Sequence, residues 1–131
     1  IDLNLVDFVV RSAELDRSDL VLEIGTGTGS LTAHLARLAG SVLSVEIDPS
    51  FHQLAKETIG ETSHVRLIHA DVLENKNHLN PEVLTALREM MDTYQPQRLK
   101  LVANLPYAVA TPVIANLLMT DLDIERMVVM V

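Results

Sequence analysis

The sequence predicts one α/β domain over residues 1–131, with a mostly parallel sheet that helices cover on both faces. Strand-like and helical patterns alternate along the chain. The strand-like runs are mostly apolar, as in strands that are buried on both faces. Hydrophobic residues make up 48% of the 131 residues, which is enough for a core. Because ligands of such sheets bind beyond the carboxyl ends of the strands, we expect the functional residues directly after the strands.

Helix periodicity and capping residues predict five helices. Apolar residues at helical spacing indicate the first helix, Gly40 ends the second, and Asp48-Pro49 and Asn80-Pro81 begin the third and fourth. Thr111-Pro112 predicts the start of the fifth. The predicted helices are residues 2–14, 30–38, 49–59, 81–93 and 111–119.

Short apolar runs predict five strands, and the polar residues 74–78 predict a loop. We expect Phe8 and Phe51 to lie in the core. The predicted strands are residues 20–24, 41–47, 65–70, 98–103 and 124–131.

Composition excludes several classes of protein. The chain has no cysteine, which rules out disulfides and thiolate zinc sites and suits a reducing, cytoplasmic location. Its five histidines lack the spacing of metal ligands, so we expect no metal site. No apolar run approaches the roughly 20 residues that span a bilayer, so we expect no membrane association. The net charge of −8 does not favour binding to nucleic acid.

A glycine-rich turn after the first strand indicates a ligand that approaches the backbone closely. Gly25, Gly27 and Gly29 stand at alternate positions. A dinucleotide fingerprint would need glycine at the position of Ser30, so the match to a pyrophosphate site is imperfect. Taken alone, the loop could also be a simple strand-to-helix turn.

Acidic residues follow the second and third strands. Glu46 lies 21 positions after Gly25, close to the offset of a ribose-binding acid, and can accept hydrogen bonds from both ribose hydroxyls. Asp71 can accept from an adenine amino group, Val72 can donate its backbone N–H to a ring nitrogen, and Ile47 can cover one adenine face. An adenosine without a long phosphate chain fits these residues, which favours S-adenosylmethionine over NAD. A turn or cap role for Asp71 is the alternative.

The tetrapeptide Asn104-Leu105-Pro106-Tyr107 after the fourth strand indicates methylation of an exocyclic amine. Adenine N6 is a poor nucleophile because its lone pair is delocalised into the ring. The Asn104 side-chain oxygen and the Leu105 carbonyl can accept its two hydrogens, which turns the lone pair towards a methyl donor. Pro106 stiffens the loop, and Tyr107 can stack on an unpaired base. A turn that only ends the strand is the alternative.

These stretches resemble the ribosomal RNA adenine N6,N6-dimethyltransferase family. The resemblance covers most of the chain in family order, namely residues 21–29, 44–48, 70–73 and 103–107 with Thr111-Pro112. It implies a Rossmann-like S-adenosylmethionine-dependent methyltransferase fold, with S-adenosyl-L-homocysteine as product. The implied substrate is two adjacent adenosines near the 3′ end of small-subunit rRNA in the immature small ribosomal subunit. Related macrolide-resistance methyltransferases usually have isoleucine at the position of Leu105, so Leu105 and Tyr107 favour the first family.

The resemblance assigns two sets of site residues. The implied cofactor-binding residues are Glu23, Gly25, Thr26, Gly27, Gly29, Glu46, Ile47, Asp71, Val72 and Asn104. The implied catalytic residues are Asn104, Leu105, Pro106 and Tyr107. Thr26 replaces a proline that is common in the family. We expect this change to be tolerated, because the loop acts through the close approach of its backbone to the ligand and not through this side chain.

The resemblance also implies segments beyond these residues. A Gln-Asn-Phe-Leu segment would precede Ile1, and further strands and a small helical domain would follow Val131, so the fold here is truncated after its fifth strand. Much of the family's basic rRNA-binding surface lies in those segments, and we expect residues 1–131 alone to bind rRNA weakly. The apolar residues 127–131 predict association between copies through an exposed strand.

Two other classes of function stay open. One is an N6-adenine methyltransferase that acts on DNA, or a protein-glutamine methyltransferase, which usually has a second proline at the position of Leu105. The other is a non-catalytic ribosome-assembly factor, or an organellar transcription factor, that retains the fold. The intact Asn104 tetrapeptide favours an enzyme.

Overall fold

Five parallel strands form the main sheet of the computed structural model, which describes residues 3–130. The described residues also contain five helices and a two-stranded hairpin. In chain order the elements are α1 Leu3–Ala13, β1 Asp19–Ile24, α2 Ser30–Leu38, β2 Ser41–Glu46, α3 Pro49–Ile59, β3 Val65–His69, β4 Leu73–Asn75, β5 His78–Leu79, α4 Pro81–Tyr94, β6 Arg98–Asn104, α5 Tyr107–Leu118 and β7 Ile124–Met130.

The order of strands in the main sheet is β3-β2-β1-β6-β7, and every neighbouring pair is parallel. A helix connects each strand of this sheet to the next one along the chain, which confirms the predicted α/β alternation. All the carboxyl ends therefore meet at one edge of the sheet. β7 is an outermost strand of the sheet, with β6 as its neighbour. Association of two copies through β7 stays a prediction.

Two apolar cores lie on opposite faces of the sheet, because alternate residues of a strand point to opposite faces. Leu20 and Leu22 pack with buried residues of α4 and α5. Val21, between them in sequence, packs with buried residues of α1 and α2. This arrangement confirms that helices cover both faces of the sheet.

Helix α5 begins earlier than the sequence predicts. Thr111-Pro112 predicts a helix start because proline suits the first turn. Instead the helix begins at Tyr107 and contains Pro112 within it. Pro106 precedes the first helical residue, and its carbonyl accepts a hydrogen bond from the Val109 N–H at 2.9 Å. The prediction took the wrong one of two prolines as the start signal.

Residues 74–78 form part of a short hairpin, not the predicted loop. β4 and β5 pair antiparallel, with Leu73 opposite Leu79. The side chain of Asn75 accepts a hydrogen bond from the Asn77 N–H at 2.9 Å, which closes the turn. A run of polar residues does not reveal such a hairpin, because its stability comes from this turn and from the two flanking leucines.

Candidate functional site

A cleft of about 450 Å³, here called the main cleft, opens at the carboxyl ends of the strands. It lies beside β1, which has β2 on one side and β6 on the other. The strand order reverses between β1 and β6, because the chain passes from β1 outward to β2 and β3 and then continues on the other side with β6 and β7. Open α/β sheets bind ligands at such a reversal. The predicted site residues that line it are Gly25, Gly27, Glu46, Ile47, Asp71, Val72, Asn104, Leu105 and Pro106.

Residues 25–29 are here called the glycine loop. A second cleft of about 250 Å³, here called the loop cleft, follows this loop to the first turn of α2. Thr26 lines this cleft only. The two clefts adjoin, because both are lined by Gly25, Gly27, Phe51 and Asn104. The other predicted site residues line neither cleft; they are Glu23, Gly29 and Tyr107.

The glycine loop lies so close to β6 and α3 that a Cβ would collide with backbone at Gly25 and would be tightly crowded at Gly29. Gly25 has a φ of +90°, and a Cβ there would collide with the backbone carbonyl oxygen of Asn104. Gly29 has a φ of +88°, and a Cβ there would lie 3.3 Å from the Cβ of Ala55 in α3. Glycine therefore permits both the left-handed backbone and the close approach.

Glu46 ends β2 with its carboxylate held in place. Its Oε1 accepts a hydrogen bond from the Gly27 N–H at 2.7 Å, and its Oε2 accepts one from the Asp48 N–H at 3.0 Å. Each carboxylate oxygen can accept a further hydrogen bond. The side chain lines the main cleft, so it can still accept from the two hydroxyls of a ribose.

The segment Asp71-Val72 is held by Asn80, which the sequence indicates only as the start of a helix. Asn80 donates from Nδ2 to the Asp71 carbonyl at 2.9 Å and from its N–H to the Val72 carbonyl at 2.8 Å. Asp71 does have the turn role of the alternative reading, since its Oδ1 accepts from the Leu73 N–H at 3.0 Å. A carboxylate has further acceptor sites, so this turn does not exclude a bond to a ligand.

The Asn104 tetrapeptide is held by strand β7 and by the start of helix α5. The Leu105 N–H donates to the carbonyl of Met130 in β7 at 3.0 Å, and Pro106 precedes the first residue of α5. The Asn104 side chain is exposed at the end of β6 and lines both clefts. Tyr107 is 79% exposed in the first turn of α5. The turn thus presents the Asn104 amide to both clefts, together with an exposed tyrosine that lines neither of them.

Glu23 lies beneath the glycine loop and not in a cleft. It is 1% exposed, and its Oε1 accepts hydrogen bonds from the hydroxyls of Ser44, at 2.6 Å, and of Thr32. The Ser44 hydroxyl is also bonded to that of Thr26, at 2.6 Å. Glu23 lines neither cleft, and through the Ser44 hydroxyl its side chain supports Thr26 in the loop from below. The predicted contact of Glu23 with a cofactor stays a prediction.

Replacing Glu23 by glutamine should remove a pH dependence of the stability. Burial raises the pKa of the Glu23 carboxyl from 4.5 to about 7, so the folded protein holds this proton more tightly than the unfolded chain does. The resulting stabilisation is complete below pH 4.5 and is lost as the pH rises through about 7. In urea titrations we expect the wild type to lose about 2 to 3 kcal/mol relative to Glu23→Gln between about pH 5 and about pH 8. A difference that stays constant across this range would contradict the assignment.

Phe51 lines the site although the sequence does not predict it there. The sequence predicts Phe8 and Phe51 in the core, and both predictions are wrong, since the residues are 63% and 46% exposed. Phe51 lies in the first turn of α3 and lines both clefts. Its position in the sequence could have indicated this role, because Phe51 lies in the first turn of the helix that follows Glu46 at the end of β2.

Two negative findings concern residues 3–130. No group of three or more His, Asp or Glu side chains lies close enough together there to hold a metal ion. Within the same residues, no helix has both the length and the apolar character needed to cross a membrane.

A family model described as ribosomal RNA adenine dimethylase matches residues 1–131. The chain belongs to this family. The family membership that the four sequence stretches indicate is thereby confirmed.

Curated relatives within the rRNA adenine dimethylase family are longer than this chain. It is 37% identical over 129 residues to ribosomal RNA small subunit methyltransferase A of Lactiplantibacillus plantarum, covering 98% of the chain and 41% of that protein. It is 37% identical over 132 residues to the protein of the same name from Moorella thermoacetica, covering 100% of the chain and 44% of that protein. The chain thus spans about two fifths of the length of these relatives.

Solved structures confirm the Rossmann-like methyltransferase fold. A dimethyladenosine transferase from Plasmodium falciparum superposes with a TM-score of 0.74 at 24% identity, over 98% of this chain and 41% of that one. The 23S rRNA methyltransferase ErmE superposes with a TM-score of 0.72 at 27% identity, over 98% of this chain and 46% of that one. The first likeness concerns the fold alone.

Proposed function

We propose that the protein acts in the cytoplasm on immature small ribosomal subunits, and that it transfers methyl groups from S-adenosylmethionine to N6 of two adjacent adenosines near the 3′ end of the rRNA. Each base is methylated twice. The two clefts adjoin at a place here called the neck, which is lined by Gly25, Gly27, Phe51 and Asn104. The observation that supports the proposal most is the exposed Asn104 amide at this neck, in a chain of the rRNA adenine dimethylase family.

The residues of the clefts fit S-adenosylmethionine. The main cleft has the volume of a small-molecule site, with Glu46 for the ribose, Asp71 and Val72 for the adenine edge, and Ile47, which is 61% exposed, for an adenine face. The loop cleft reaches Ser30 at the start of α2, where free backbone N–H groups favour a carboxylate such as that of the methionine part. A Cβ at position 27 would meet no atom within 4 Å, so the loop leaves open space.

The chain's own residues orient the target amine. When bound, S-adenosylmethionine supplies a methyl group on a positively charged sulfonium. The side-chain oxygen of Asn104 and the carbonyl of Leu105 accept the two N6 hydrogens, and Tyr107 stacks on the base. Positioning supplies most of the rate, because N6 becomes acidic only after it is alkylated and needs no base beforehand. The second methylation requires that the monomethylated nitrogen still fits between these groups.

The substrate is tested with the protein at its full encoded length and labelled S-adenosylmethionine. Unmethylated small subunits, large subunits, adenine-containing duplex DNA and total protein are offered in parallel. We expect label in the rRNA of the small subunits alone. Label in the large-subunit rRNA, in DNA or in protein would replace the proposed substrate. Cofactor binding without any label would favour the non-catalytic assembly factor.

A further inference from the structure

Phe51 lines both clefts but takes no part in orienting the target amine. Its ring is the one aromatic side chain among the residues that line the two clefts within the described chain. It stands at the neck between them, together with Asn104 and two glycines that contribute only backbone. An aromatic ring that is 46% exposed adds little to a core, so its value lies in what it can contact.

The first turns of α3, which carry Phe51, are anchored at the helix N-terminus and beside the glycine loop. Asp48 caps α3, and its Oδ1 accepts hydrogen bonds from the N–H groups of Ser50, at 2.8 Å, and of Phe51, at 3.2 Å. One helical turn later, Ala55 packs against Gly29 at the end of the loop. The backbone that carries Phe51 is therefore anchored beside the glycine loop, as the backbone of a residue that recognises a ligand must be.

The proposed function places a positive charge at this neck. The adenosine part fits the main cleft and the amino-acid part fits the loop cleft, so the sulfonium that joins them belongs at the residues common to both. The same neck contains Asn104, which must lie near the methyl group to present the amine. Three carboxylates, those of Glu46, Asp48 and Asp71, line the main cleft, and none of them is among the residues common to both clefts.

We propose that the ring of Phe51 contacts the sulfonium through a cation–π interaction and thereby makes the site distinguish S-adenosylmethionine from S-adenosylhomocysteine. An aromatic face attracts a cation by its quadrupole, whereas the thioether of the product is neutral. The residue thus favours binding of the charged methyl donor and release of the spent product. The inference rests on the proposed function, since it assumes that this cofactor occupies the clefts.

Calorimetric affinities for S-adenosylmethionine and S-adenosylhomocysteine test the inference, with the protein at its full encoded length. In Phe51→Leu we expect the preference for S-adenosylmethionine over S-adenosylhomocysteine to fall about 3- to 30-fold relative to the wild type. Phe51→Tyr retains an aromatic face and should retain the wild-type ratio. Phe8→Leu is the matched control, because it makes the same change on α1, away from both clefts.

Equal weakening of both affinities in Phe51→Leu would overturn the inference and leave Phe51 as a packing residue, and so would an unchanged pair of affinities. Binding of S-adenosylhomocysteine itself reports that the variant is folded. Failure of the wild type to bind either compound would contradict the proposed function instead, so the two failures are distinguishable.

Discussion

Replacing Asn104 by alanine should lower the rate of methyl transfer roughly 100- to 1,000-fold, which is the scale seen when one preorganised polar group is removed at a reacting atom. The variant loses the acceptor that orients the N6 amine, but it keeps Glu46 and Asp71 for the adenosine. We therefore expect the affinity for S-adenosylmethionine to change by less than about tenfold, the worth of a single hydrogen bond. Single-turnover rates and calorimetric affinities measure the two quantities separately.

The matched control for this variant is Asn77→Ala, at the exposed tip of the β4–β5 hairpin. Asn77 lines neither cleft, so its replacement should leave the rate and the affinity unchanged. A loss of cofactor binding in Asn104→Ala that matches the loss of rate would show that Asn104 holds the cofactor and does not present the amine.

Replacing Gly25 by alanine should damage the fold and the site together. The new Cβ would collide with the Asn104 carbonyl, which is backbone and cannot rotate away, and φ is +90° at this position. We expect a loss of stability of more than about 2 kcal/mol, since strain and a backbone collision add. The displaced Asn104 should also lower the transfer rate by about 100-fold or more, as misplacement by about 1 Å can do. Urea titrations and single-turnover rates measure both effects.

Gly60→Ala separates the collision from the backbone strain. Gly60 also has a positive φ, of +66°, but a Cβ there would meet no atom within 4 Å. It ends α3 and lines neither of the two clefts. The control should lose stability from strain while its transfer rate stays near that of the wild type. If Gly25→Ala also kept the wild-type rate, the close contact between the loop and Asn104 would have no role in the reaction.

The residues at strand ends could be predicted from the sequence because parallel strands bring their carboxyl ends to one edge. Glu46, Asp71 and Asn104 each follow an apolar run directly, and the structure places all three at the main cleft. Their positions directly after strand-like runs are sufficient to predict this, since the parallel sheet brings the ends of those strands together. The family was also indicated by these stretches alone.

Residues that act from helices or from beneath the loop could not be predicted in the same way. Helical periodicity places Phe51 on an apolar face but does not tell a core from the wall of a cleft. The supporting roles of Glu23 and Asn80 depend on contacts across the sheet and across the hairpin, such as the bond from Ser44 to Glu23. A pattern of residue types along the chain does not report which of two faces a partner lies on.

The identity of the methylated nucleoside tests the central claim most directly. Unmethylated small subunits are incubated with the protein and labelled S-adenosylmethionine, and the rRNA is then digested to nucleosides and separated. The proposed site predicts N6,N6-dimethyladenosine as the final product, with N6-monomethyladenosine as a transient species. Monomethyladenosine that accumulates without conversion, or a label on another atom of the base, would contradict the account of the Asn104 turn.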